Sequence, residues 1–231
     1  MSNSEEFYKR GVACIQKNQY GQAAKEFSES LKLEPENADV HLCMGVALWN
    51  LGFSKEAVKE YKESIRLDPA NDKAYFNLGV VYQRLGRIQD AVIQYRLAIK
   101  INPSDPNPHF NLGVAYNYLG NFEDEINQYK AVLRIQPAFP NANFGLANAY
   151  RKLGRFWESR GEYDRALQVD PENADAYFNL GVTYDLLNDG QNAIANALRA
   201  EQLYEKQGKE GRKREAVNRL SELYKKYGLS P

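Results

Sequence analysis

Long hydrophobic runs are missing from this sequence. No stretch of its 231 residues approaches 18 consecutive apolar positions, so no helix is expected to cross a membrane. Cysteine is scarce: Cys14 and Cys43 stand without metal-ligand spacing. Two thiols in a chain of this size read as reduced, small core residues of a cytoplasmic protein. Surplus charge of either sign is absent, since 30 Lys+Arg balance 30 Asp+Glu. That balance argues against a globally basic nucleic-acid binder and against an acidic solvating chain. The opening MSNSEEFYKRG lacks the basic-then-apolar order of a secretory signal, and the closing KKYGLSP lacks a lipidation cysteine. No Gly-rich loop leads into Lys-Ser or Lys-Thr, and no histidine stands where it would obviously activate a thiol. No enzyme, cofactor or metal site is expected. Hydrophobic residues at 43% and charged residues at 26% are an ordinary globular balance.

What is present is a repeat. In blocks of 34 residues starting at Ser4, Ala38, Asp72, Pro106, Pro140 and Ala174, the same residue types recur in columns. Position 8 is Gly11, Gly45, Gly79, Gly113, Ala147 and Gly181. Position 15 is Asn18, Gly52, Gly86, Gly120, Gly154 and Asn188, residue types that tolerate a left-handed helix end. Position 24 is Phe27, Tyr61, Tyr95, Tyr129, Tyr163 and Ala197. Position 32 is proline in the first five blocks, which stops a second helix (Ile88 to Lys100 in block three) and sets an extended link. Each block therefore reads as two antiparallel helices, A and B. Small residues at positions 8 and 20 let them cross closely, and large ones at 4, 7, 11 and 24 fill the space around. One pair cannot bury its apolar faces alone, so the pairs must stack.

The columns resemble the tetratricopeptide repeat, most closely in AYFNLGVVYQRLG, PHFNLGVAYNYLG, NANFGLANAYRKLG and AYFNLGVTYDLLN. The resemblance covers 4–207. It implies an all-α, right-handed solenoid of antiparallel helix pairs with repeats at 4–37, 38–71, 72–105, 106–139, 140–173 and 174–207, preceded by a tail at 1–3. Residues 208–231 are expected to form a capping helix and tail, the helix over 211–227 with Val217, Leu220, Tyr224 and Tyr227 on its apolar face. Block one has Arg10 where leucine is usual, so its first helix should be partly exposed. Block four has Glu125 at position 20 and Val132 at position 27, which predicts a looser crossing with Glu125 tilted outward. Block six lacks the proline and the aromatic (Glu205 and Ala197 stand there), so its B helix should run on towards Gln207.

The resemblance also implies that positions 2, 5, 6, 9, 12 and 13 of helix A face a concave groove. Position 5 is Tyr8, Leu42, Phe76, Phe110, Phe144 and Phe178, and position 9 is Val12, Val46, Val80, Val114, Asn148 and Val182. Beside this apolar ladder run Asn77, Asn111 and Asn179. Carboxamides both donate and accept, so they can pair with any peptide backbone. The row resembles the repeat domain of the O-GlcNAc transferases. Trp49, Arg84, Tyr118, Arg151 and Lys152 fall at the groove edge, where they can supply selectivity. The ladder residues also have a packing role open to them. Phe and Val stand where the family's chaperone-tail binders have basic residues, which argues against a terminal-carboxylate ligand. His41 and His109 fall on a packing column. The segment 201–231 carries 8 Lys+Arg against 5 Asp+Glu, and interleaved acids make it a solvated face rather than a phosphate site. The function implied is a non-catalytic scaffold or adaptor that holds an extended or helical segment of another protein. The alternatives are a self-associating scaffold, as the family's magnetosome-organising members are, and, remotely, a regulatory partner of a glycosyltransferase-like or other enzyme.

Overall fold

A computed structural model describes residues 3–139 and 141–229. Among these residues there are thirteen α-helices and no strand. The chain is an all-α solenoid of consecutive helix pairs. The first pair is α1 (Asn3–Gln16) and α2 (Tyr20–Leu33), the second α3 (Ala38–Asn50) and α4 (Ser54–Leu67), and the third α5 (Asp72–Arg84) and α6 (Ile88–Ile101). Next come α7 (Pro106–Leu119) and α8 (Phe122–Ile135), α9 (Ala142–Lys152) and α10 (Phe156–Val169), and α11 (Ala174–Leu186) and α12 (Gly190–Lys206). The last helix, α13 (Glu210–Tyr227), stands alone. Block five's expected start, Pro140, and most of the expected N-terminal tail lie outside the described residues; Asn3 already belongs to α1.

Chain chemistry sets these ends. All six position-15 residues are left-handed, from Asn18 at φ 57° to Gly52 at φ 87°, so each A helix stops where a left-handed residue is cheap. The five B helices that precede a position-32 proline end two residues before it. Asn37, Asn71 and Asn173 then accept from the backbone N–H three residues on and cap the next A helix.

Two compact units divide after Leu119. In the first, α1–α7, each helix packs on the next, and the odd helices also meet one another. The A helices thus form the inner wall of this stack. Its core is Phe27, Val40 and Ala47 at one end and Tyr61, Leu78, Tyr82, Tyr95 and Tyr116 beyond. The A/B crossing is as close as the glycine column demands. A Cβ on Gly11 would lie 2.4 Å from the Phe27 ring, and one on Gly45 or Gly79 would lie 2.6 Å from the Tyr61 or Tyr95 ring. Arg10 is exposed and pairs with Glu26 at 2.9 Å, and among the residues of α1 only Ser4 and Gly11 are buried.

In the second unit, α8–α13, two expectations fail. Glu125 does not tilt outward; it is 1% exposed, on the buried face of α8 with Ile126, Tyr129 and Val132. Burial and then the Glu125 carboxylate push the Tyr129 phenol well above its ordinary range. A helix, α13, stands where the cap is expected, but its buried face is Ala216, Leu220 and Leu223, with Tyr227 half-buried, while Val217 is 43% exposed. The sequence pattern admits both stripes. The short Ala216 is what lets α13 lie against Leu203 and Tyr204.

Block five also explains its own departure from the asparagine row. Gly145 stands at position 6, and a Cβ there would sit 2.7 Å from Tyr129 Cζ. Restoring the usual residue with Gly145→Asn should therefore destabilise the protein by about 1–3 kcal/mol through overpacking. Chemical denaturation would check this, and an unchanged midpoint would refute it.

Candidate functional site

The inner wall of the first unit carries a cleft of about 580 Å³, built by three successive A helices. Tyr8, Val12 and Ile15 come from α1, Leu42, Cys43 and Val46 from α3, and Phe76 and Asn77 from α5. The floor is apolar because positions 5 and 9 recur one turn apart on each helix. Burial pushes the Tyr8 phenol up to about 12, with Cys43 and Asp39 adding to it, and burial raises the Cys43 thiol. Both are uncharged at neutral pH. Asp39, Asp68, Asp72 and Lys73 stand along the rim.

The ladder residues are half-buried and lean on their own repeats. The Phe76 ring lies 6.0 Å from Tyr95, Tyr8 6.2 Å from Phe27, and Phe144 5.9 Å from Tyr163. Each such ring therefore both packs and presents an accessible part. Phe110, also half-buried, stands on α7 beside Asn111, whose Nδ2 donates to the Asn107 carbonyl at 3.0 Å. A second hollow, of about 300 Å³, brings Arg84, Asn111 and Tyr118 together with Val80, Gln83 and Tyr95. Tyr118 is 69% exposed. Trp49 is half-buried and packs against the apolar core.

In the second unit the expected residues are mostly taken up internally. Tyr163 donates to Asn148 Oδ1 at 2.6 Å, and Arg151 beside it offsets part of the rise that burial imposes on its phenol. Lys152 lies over the Phe122 ring at 5.0 Å. Phe144 lines a hollow of only about 160 Å³ with Phe139, Asn143 and Asn173. Phe178 has the Arg212 guanidinium of the cap 5.2 Å above its ring. Asn179 is half-buried beside it, and its backbone carbonyl accepts from Thr183.

The family model described as TPR repeat matches residues 11–52, 55–86, 84–120, 115–154 and 147–187, and that described as tetratricopeptide repeat matches 174–207. The chain is a tetratricopeptide repeat protein. No curated protein sequence matches it. Among solved structures it is similar to MamA, at 24% identity over 71% of this chain and 96% of that one, with a TM-score of 0.66. It is also similar to YrrB, described as a TPR protein with an unusual peptide-binding site, at 19% identity over 78% and 93% with a TM-score of 0.71. Pseudomonas aeruginosa pilF is 20% identical over 87% and 92%, with a TM-score of 0.75. At these identities the likeness is one of fold.

Within this tetratricopeptide array the rim residues are what sequence reasoning passed over. Asp39 and Lys73 occupy position 2, a groove-facing column, so a signal for them was present. Asp68 lies in the link between repeats, and no column marks it. Gln83, at position 12, had the same signal as Asp39. His41 is a packing residue with both ring nitrogens engaged, Nδ1 by Glu60 Oε2 at 2.6 Å and Nε2 by the Pro35 carbonyl at 3.0 Å. No helix among the described residues is long and apolar enough to cross a membrane.

Proposed function

We propose that this tetratricopeptide repeat protein is a non-catalytic scaffold that holds a segment of another protein against its A helices. The observation that carries this reading is the 580 Å³ cleft, with an apolar floor supplied by three helices and a polar rim. Protein–protein recognition concentrates its energy in such desolvated apolar pockets. The working residues are Phe76 and Asn77 in that cleft, and Arg84, Phe110, Asn111 and Tyr118 further along the same wall. In the second unit Phe144, Asn148, Arg151, Lys152, Phe178 and Asn179 are secondary, since several already have internal partners.

Phe76→Ala should weaken capture of a bound segment by about 2 kcal/mol, the usual size of a central aromatic anchor. Asn77→Ala should cost about 1–3 kcal/mol where it leaves partner backbone groups unpaired. Calorimetric titration against a partner recovered from native lysate, alongside thermal melts, separates binding from folding. A variant that melts early yet binds normally would make Phe76 a packing residue and remove the reading.

A further inference from the structure

The two hollows of the first unit have opposite charge character, and both use α5. Around the larger cleft stand three carboxylates, Asp39, Asp68 and Asp72, against one ammonium, Lys73. None of the three is ion-paired among the described residues. Asp68 accepts from the Ala70 N–H at 3.0 Å and Asp72 from Asn102 Nδ2 at 2.8 Å, and these neutral donors leave both charges uncompensated. Several acids elsewhere in the unit do find a cation. Glu26, Glu29, Glu63 and Asp90 each meet a lysine or arginine within 3 Å.

The smaller hollow is the converse. Its lining residues are Val80, Gln83, Arg84, Tyr95, Asn111 and Tyr118, with no carboxylate. Arg84 makes no ion pair among the described residues. The Tyr95 hydroxyl donates to Gln83 Oε1 at 2.9 Å, which leaves the Gln83 NH₂ for another acceptor. Arg84, Gln83, Asn111 and the exposed Tyr118 hydroxyl make a set of donors suited to one carboxylate.

We infer, resting on the groove reading above, that the occupant of this wall is an internal peptide segment of fixed charge order. A lysine or arginine beside an aliphatic or aromatic anchor enters the acid-rimmed cleft, and an aspartate or glutamate reaches the Arg84 hollow. The spacing follows from α5. Asn77 and Arg84 are seven residues apart, about 10 Å along the helix, which an extended chain covers in about three residues. Unpaired charges on both sides then give orientation as well as affinity, because the reversed segment meets like charge at both ends.

The test is selection from a random-peptide library, displayed with fixed flanks at both ends, on the purified full chain. The wild type should enrich segments with a basic residue and apolar anchor about three residues from an acid, in one and the same chain order throughout the selected set. Asp39→Lys should reverse the preference at the basic position. The milder Asp39→Asn, Asp68→Asn pair should erase it and weaken selected wild-type peptides about tenfold or more. Arg84→Glu should turn the acid into lysine or arginine while leaving the other end unchanged. Circular dichroism would establish that each variant is folded. Enriched peptides without this charge order, or variants that select the same sequences as wild type, overturn the inference. The groove reading survives that outcome where Phe76→Ala abolishes enrichment. If the wild type enriches nothing, or Phe76→Ala enriches as wild type does, the groove reading fails and the charge rule with it.

Discussion

Replacing Gly79 with leucine should destabilise the protein by about 3 kcal/mol, the upper part of the usual overpacking range. A first side-chain carbon at this position would already lie 2.6 Å from Tyr95 Cε1, and leucine adds three more. Tyr95 has nowhere to go. Its ring is fully buried, Phe76 leans on it, and its hydroxyl is held by Gln83. The alternative response, separating α5 from α6, would strip packing from Leu78 and Tyr82 in the same core. Gly161→Ala is the matched control. Gly161 lies within α10, and nothing stands within 4 Å of its would-be Cβ. That change should stabilise by about 0.5–1 kcal/mol through helix propensity. Denaturant melts of both variants decide the matter, and equal midpoints would mean that α5 and α6 do not cross at Gly79.

Ending the chain at Gln207 should be as damaging by a different route. It bares Ala193, Ile194, Ala197, Leu203 and Tyr204, which α13 now covers. A solenoid end without a polar cap is an apolar patch, so aggregation or fraying of α11 and α12 is expected by light scattering and circular dichroism. Two carboxylates on α11 make the cap specific. Asp185, whose side chain is 9% exposed, accepts from Arg219 at 2.6 Å, Lys226 at 2.7 Å and the Tyr227 hydroxyl at 2.8 Å. Asp175 accepts from Arg212 at 2.5 Å and from the Tyr204 hydroxyl at 2.7 Å. The basic residues of 206–214 are thus partly spent on fastening: Lys206 pairs with Glu172, and Lys213 with Glu205.

Burial alone would raise both aspartates, but their hydrogen bonds and cationic neighbours outweigh it and hold both below the ordinary carboxylate range. A depressed folded value contributes stability at neutral pH and withdraws it as pH falls through that value, below about 4. Protection of the α13 amides, taken relative to their intrinsic exchange rates, should therefore fall selectively as the pH drops below about 4. Asp185→Ala should loosen the cap at neutral pH by about 2–3 kcal/mol, less than for a fully buried pair because Arg219 and Lys226 keep some water. A truncated chain that stays monomeric with full helicity would instead make α13 an appendage.

Much of this was legible in advance because the repeat imposes its own checks. A glycine at position 8 and an aromatic at position 24 are complementary shapes, and the left-handed corner at position 15 admits few residue types. Glu125 was misread because a charged residue in a small-residue column suggests expulsion. Its carboxylate instead stays on the buried face of α8, which no column reports. The cap was legible as a helix but not in its rotation, since Ala216 is too small to mark a face. Asn148 sits in a groove-facing column, yet the Tyr163 hydroxyl claims it. A column shows which way a side chain sets out, not what meets it there.

The fastening of α13 also constrains how such a chain can lengthen over evolution. Duplicating an interior unit copies a glycine and the ring that fills its hollow together, so the new crossing arrives complete. Adding a unit after Lys206 would not. Gly190 is moulded to Tyr227, with a would-be Cβ only 2.4 Å from that ring, and Asp175 and Asp185 would lose the cations that α13 supplies. A unit placed there would have to rebuild the ring against Gly190 and both sets of cations.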